Sequence, residues 1–163
     1  MNRLLRFGVR YCALFLLVAF ALPALGHAQG ITYKGAGLRI GISSDPDQFF
    51  IGGQFDLGEF TKNLRFQPTV ELGFGDNVTL FSANAGALYF FPVKGEWKPY
   101  VGGEVGFVYQ NFDKKNKAND TDIALNAVGG MEKGLKSGSR FLAELKVGLV
   151  ADPKIQLLAG WTF

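Results

Sequence analysis

Cys12 and His27 are the only thiol and the only imidazole in the chain, and both lie in a leading stretch that also carries Arg3, Arg6 and Arg10 and no acid. A thiol or an imidazole would serve nucleophilic acyl transfer, general-base catalysis or a zinc site. Their setting points elsewhere. A basic stretch through Arg10 runs into an apolar segment from Cys12 to Leu25 and then into Gly26-His27-Ala28, where small residues flank a cut after Ala28. That is the pattern of a secretory signal peptide. The apolar run is shorter than the roughly 20 residues that span a bilayer as a helix, and Pro23 and Gly26 break it. The expected organisation is a signal peptide over 1–28 and one domain over 29–163.

Without that segment 135 of the 163 residues remain, and the 17 Lys and Arg lose three, leaving 14 bases against 14 acids with no Cys and no His. Ser-His and Cys-His catalysis and zinc sites lose their parts. A neutral domain gives no footprint for nucleic acid, and no disulfide can staple the fold. No catalytic residue, metal ligand or cofactor site is expected. The chemistry still on offer is carboxylate chemistry: Glu71 and Glu104 could form the acid and base of a glycoside hydrolase. Arg39 and Lys146 share their polar faces, so a structural ion network is the favoured reading of Arg39, Glu71, Glu104, Glu144 and Lys146.

The elements that carry these residues alternate with a period of two, and no window keeps a helical apolar period. Eight strands are predicted: Gly35 to Ser43, Gln48 to Leu57, Leu64 to Phe74, Val78 to Phe91, Pro99 to Phe112, Thr121 to Met131, Ser139 to Val150 and Lys154 to Phe163. Pro68 falls inside the third and predicts a bulge there. In the fourth, Phe81, Ala83, Ala85, Ala87, Tyr89 and Phe91 are placed on the apolar face, opposite Ser82, Asn84 and Gly86. Short connections in chain order predict an up-and-down meander, and closing it into a barrel removes both exposed edges.

Alternation alone does not say which face points inward. An eight-stranded barrel has an interior just wide enough for side chains. Faces rich in Gly, Asn, Gln and single charges suit that space, whereas Phe, Leu, Ile and Val in every row suit lipid outside. The runs also exceed the usual strand of about five or six residues and match a tilted membrane span. Phe74, Phe81, Tyr89, Phe91, Tyr100, Tyr109, Trp161 and Phe163 lie near strand ends, where interfacial girdles are built. The expected fold is therefore all-β: an eight-stranded antiparallel transmembrane β-barrel with its polar network in the lumen.

The cleavable leader, the strand Pro99-Tyr100-Val101-Gly102-Gly103-Glu104-Val105-Gly106-Phe107 and the ending Gly160-Trp161-Thr162-Phe163 resemble the small bacterial outer-membrane β-barrel proteins, the OmpA-like, OmpX-like and opacity-type group. The resemblance implies an outer-membrane location, contact with outer-membrane lipids and lipopolysaccharide, and a monomer. It implies that Trp161 and Phe163 act as the signal read by the barrel assembly machinery. Some barrels of this size modify lipid A, but those using a Ser-His pair are unmatched once His27 is removed. The expected role is non-enzymatic, structural or in surface interaction. A barrel carrying a small hydrophobic ligand is the alternative. Connections at Ser44 to Asp47, Gly75 to Asn77, Asp113 to Asp120 and Ala151 to Pro153 are short for an adhesin, and Lys114, Lys115 and Lys117 are read as an ordinary solvated loop.

Overall fold

The computed structural model describes residues 32–76, 78–112, 120–151 and 153–163. The predicted leader with Cys12 and His27, the cut after Ala28, Asn77 and the loop holding Lys114, Lys115 and Lys117 lie outside them. The described chain forms nine antiparallel strands: β1 (Gly35–Ser44), β2 (Gln48–Asp56), β3 (Glu59–Thr61), β4 (Leu64–Gly75), β5 (Val78–Phe90), β6 (Trp97–Phe112), β7 (Asp120–Gly134), β8 (Arg140–Val150) and β9 (Ile155–Thr162). Sequence neighbours pair with one another except β2 and β3, β1 pairs with β9, and β2 pairs with β4 from Gln48↔Gly75 to Gln54↔Thr69. The sheet thus closes on itself as an eight-stranded up-and-down barrel. Closure leaves no long unpaired edge.

The ninth element, β3, falls in a stretch predicted as a connection. It continues β2 across an irregularity: the Leu57 N–H donates to the Phe66 carbonyl, and the Phe66 N–H donates to the Gly58 carbonyl. Two residues therefore face one, which is a β-bulge. Gly58 takes φ +79° there, a left-handed conformation that glycine adopts without penalty. The bulge expected at Pro68 does not form; the one observed lies on the neighbouring strand opposite Phe66. Across β5 the register runs unbroken through Pro68↔Ala85. Pro68 points its missing N–H the same way as Phe66, toward the interval between the β2 ladder and the bulge, where a missing donor costs least.

The parity expected of β5 holds. Leu80, Ser82, Asn84, Gly86 and Leu88 face inward and are buried, while Ala85 and Tyr89 are exposed. Most of the large apolar side chains lie outside, with Leu38 60%, Leu149 61% and Leu157 56% exposed. Inside, two apolar clusters close the lumen. Phe50, Leu80, Val108, Ala124 and Leu158 pack near the β1–β2 and β4–β5 hairpins. Leu88, Phe90, Tyr100 and Val128 pack toward the end that carries Thr32 and Phe163. We call these the hairpin rim and the terminal rim.

Each plug rests on a glycine of the adjacent strand. Phe50 is paired with Gly73 and Tyr100 with Gly130. A Cβ on Gly73 would come within 2.7 Å of the Phe50 ring, and one on Gly130 within 2.6 Å of the Tyr100 hydroxyl. The glycines make room for aromatic rings that fill the lumen, and the rings cover the bare backbone in return.

Candidate functional site

The strands place Arg39, Glu71, Glu104, Glu144 and Lys146 together, all at most 3% exposed. They come from β1, β4, β6 and β8, every second strand around the wall, and meet on the barrel axis. Arg39 Nη2 donates to Glu144 Oε1, and its Nη1 lies 3.4 Å from Glu71 Oε1. Lys146 Nζ donates to Glu71 Oε1 at 2.9 Å and sits 2.9 Å from Glu104 Oε2. The Tyr100 hydroxyl donates to Glu144 Oε2 at 2.8 Å. The result is an unbranched chain across the lumen: Tyr100, Glu144, Arg39, Glu71, Lys146, Glu104.

Two cations thus serve three carboxylates, and the tyrosine supplies a hydrogen bond to the third. In a low-dielectric interior such a set is tolerated only when its members are mutually paired. Glu71 and Glu104, the pair that could have served glycoside chemistry, share one ammonium and are sealed between the two apolar plugs. That placement leaves both carboxylates buried, at 1% and 2% exposure.

Tyr100 corrects the girdle assignment. It is 2% exposed and faces the lumen, because it shares the parity of Gly102 and Glu104 within β6. The other girdle residues lie on the wall, including Phe74, Tyr89, Phe91, Tyr109, Trp161 and Phe163, all partly or well exposed. Trp161 and Phe163 both lie at the terminal rim, and the Phe163 N–H donates to the Ala36 carbonyl at 2.9 Å.

A second network was not foreseen. At the terminal rim Asp56, Arg65, Glu132 and Arg140 form a closed ring of alternating charge. Arg65 grips Glu132 with two hydrogen bonds of 2.6 and 3.1 Å. Arg140 donates to Asp56 at 2.5 Å and lies 3.7 Å from Glu132, and Arg65 lies 3.4 Å from Asp56. The Arg65 guanidinium also lies 4.1 Å above the Phe90 ring, tying the ring of charge to the plug beneath it. Asp56 and Arg65 were on the polar face in sequence. Glu132 lies beyond the predicted strand end at Met131, since β7 runs three residues further, and Arg140 opens β8 next to the turn. Continuing the alternation of Asn126, Val128 and Gly130 reaches Glu132, and stepping back from Glu144 and Leu142 reaches Arg140. Above this ring an open vestibule of about 720 Å³ is lined by Lys34, Asp56, Glu59, Arg65, Arg140 and Phe163.

Among the described residues no helix is long and apolar enough to cross a membrane, and no cluster of His, Cys, Asp or Glu is placed to hold a metal.

No protein-family model and no curated protein matches the chain. Solved structures do. Neisserial surface protein A is similar over 78% of this chain and 92% of its own, with a TM-score of 0.61 at 18% identity. The N-terminal β-barrel domain of Pseudomonas aeruginosa OprF is similar over 83% of this chain and 100% of its own, with a TM-score of 0.62 at 17% identity. The fold is therefore that of the small eight-stranded transmembrane barrels.

Proposed function

We propose that this chain is a non-enzymatic integral barrel of the bacterial outer membrane, with a lumen filled by its own side chains and a role in envelope structure or surface contact. One observation carries the reading: the polarity of the molecule is inverted. Leucine, isoleucine and phenylalanine cover the outside, while arginine, lysine and four glutamates are buried within. In water so much exposed apolar surface would drive association. In a bilayer it is the wall that lipid requires, and the closed sheet satisfies every strand's backbone without water.

The hairpins at Asp45–Asp47 and around Asp76 are short, which favours an envelope role over receptor binding through long loops. Its partners on this reading are outer-membrane lipids and lipopolysaccharide around the wall, with the assembly machinery reading Trp161 and Phe163 during insertion. The leader would direct export and be cleaved after Ala28, and the barrel would act as a monomer.

Cell fractionation tests the location. The protein is expected with outer membranes, and its gel mobility in detergent should change on boiling; recovery as a soluble periplasmic protein would overturn the reading. In a planar bilayer the plugged lumen should pass little or no current. Incubation with lipopolysaccharide, followed by mass spectrometry, should leave acyl chains and sugars unchanged.

A further inference from the structure

The terminal rim, counting the vestibule mouth as well as the outer wall, has a charge composition of its own. Lys34, Lys62, Lys94, Lys98, Lys133 and Lys136 all fall there, against Glu59 and Glu96. Lys133 is paired with Glu96 at 2.6 Å. The other five lysines are exposed and, among the described residues, form no ion pair. In the sector of Lys98 and Lys136, one cross-strand row over four neighbouring strands reads Trp97, Lys133, Phe141, Trp161. Its rings touch edge to face at 6.2 and 6.4 Å, and the Lys133 ammonium lies 5.9 Å from the Trp97 ring centre. Tyr33 and Phe163, 64% and 67% exposed, extend the aromatic surface beside β1.

We propose that this lysine rim over a tryptophan-anchored row is a binding surface for anionic phospholipid headgroups, and that it seats the barrel in the inner, phospholipid leaflet of the outer membrane. The inference rests on the membrane-barrel reading and adds a partner to it. Indole rings settle at headgroup depth, which puts the row at the interface and the lysines at the level of the phosphates. Ammonium groups held at that depth gain about fivefold in affinity for each lysine near an anionic surface. Among the described residues these five lysines pair with no carboxylate, so lipid phosphates are the counter-charges that suit them. Among the described residues the opposite rim differs: Asp45, Asp47, Asp76 and Asp120 are exposed there, with Lys154 as the exposed cation.

Both tryptophans of the chain sit at this rim, so intrinsic fluorescence reports on it alone. The barrel would be folded into phosphatidylcholine vesicles containing either brominated phosphatidylglycerol or brominated phosphatidylcholine at equal mole fraction. The expected result is tryptophan quenching that favours phosphatidylglycerol about fivefold or more. The preference should fall toward unity in 0.5 M salt and in a variant combining Lys94→Gln, Lys98→Gln and Lys136→Gln. Heat-modifiable mobility of that variant confirms that it remains folded. Equal quenching by the two lipids in a folded barrel would overturn the proposal while leaving the membrane barrel standing; failure to insert into either vesicle would overturn both. In intact cells an impermeant maleimide should label Asp76→Cys and spare Lys136→Cys. The reverse pattern would set the rim against lipopolysaccharide and overturn the assignment to phospholipid.

Discussion

The two ion networks use the same residue types at different depths. The central chain of Tyr100, Glu144, Arg39, Glu71, Lys146 and Glu104 lies between the plugs, and its five ionic members are at most 3% exposed. The terminal ring of Asp56, Arg65, Glu132 and Arg140 is balanced, two against two, and its arginine side chains are 13% and 21% exposed. Removing a member of the central chain strands a charge that water cannot reach. Removing a member of the ring leaves its neighbours within reach of the vestibule. Depth, more than the number of ion pairs, sets what each contact is worth.

Lys146→Met is the sharpest way to break this comparison. It leaves Glu71 and Glu104 facing each other without their shared ammonium, and breaking a buried pair in this way costs about 3–5 kcal/mol. Urea unfolding of the folded barrel in vesicles measures it, and a loss under about 1 kcal/mol would show that the central chain is hydrated like the ring. Adding Glu104→Gln to Lys146→Met should recover part of the loss, since one stranded carboxylate is then neutral; strict additivity of the two changes would deny the coupling.

Gly130→Ala comes next. Its methyl would press on the Tyr100 ring, and such overpacking costs about 1–3 kcal/mol, expected as a lower urea midpoint. Tyr100→Phe keeps the ring and removes the donor to Glu144, with an expected loss of about 1–3 kcal/mol from the carboxylate oxygen left unpaired.

Arg140→Gln probes the ring. Its expected cost is about 1 kcal/mol, reduced further by salt because the ring is partly exposed; a cost equal to that of Lys146→Met would erase the difference between the two networks. The smallest effect belongs to Glu96, whose carboxyl the hydrogen-bonded Lys133 ammonium holds below the usual carboxylate range. With a lowered folded value, its stabilisation is present at neutral pH and is lost as the pH falls through that value. Glu96→Gln should leave the urea midpoint at pH 7 within error in 0.5 M salt.

Much of this was readable from alternation. Arg39, Glu71, Glu104, Glu144 and Lys146 sit on faces whose small and polar neighbours contrast with Leu38, Val70, Val105 and Leu145, and a period of two carries that contrast directly. The network's wiring was not readable, because Arg39 and Glu144 stand 105 residues apart and meet only through barrel closure. Glu132 and Arg140 were lost at strand ends, where turn residues hide the last alternations. Tyr100 was read as an interfacial aromatic because its type suits both places, although its parity already faced it inward. Pro68 forms no bulge, since its register with Ala85 is unbroken; the bulge at Leu57 and Gly58 faces Phe66, on the same strand as Pro68, and carries no proline signal.

By itself the sequence determined the strands, their parity and the inversion of polarity between their faces, since these depend on local alternation and on side-chain type. Tertiary structure decided which charges pair, that Phe50 and Tyr100 cap the lumen over Gly73 and Gly130, and that four residues from separate strands close a ring at one rim. The physical reason is strand tilt: closing a barrel staggers the register around the wall, and that stagger determines which rung of one strand meets which rung across the axis.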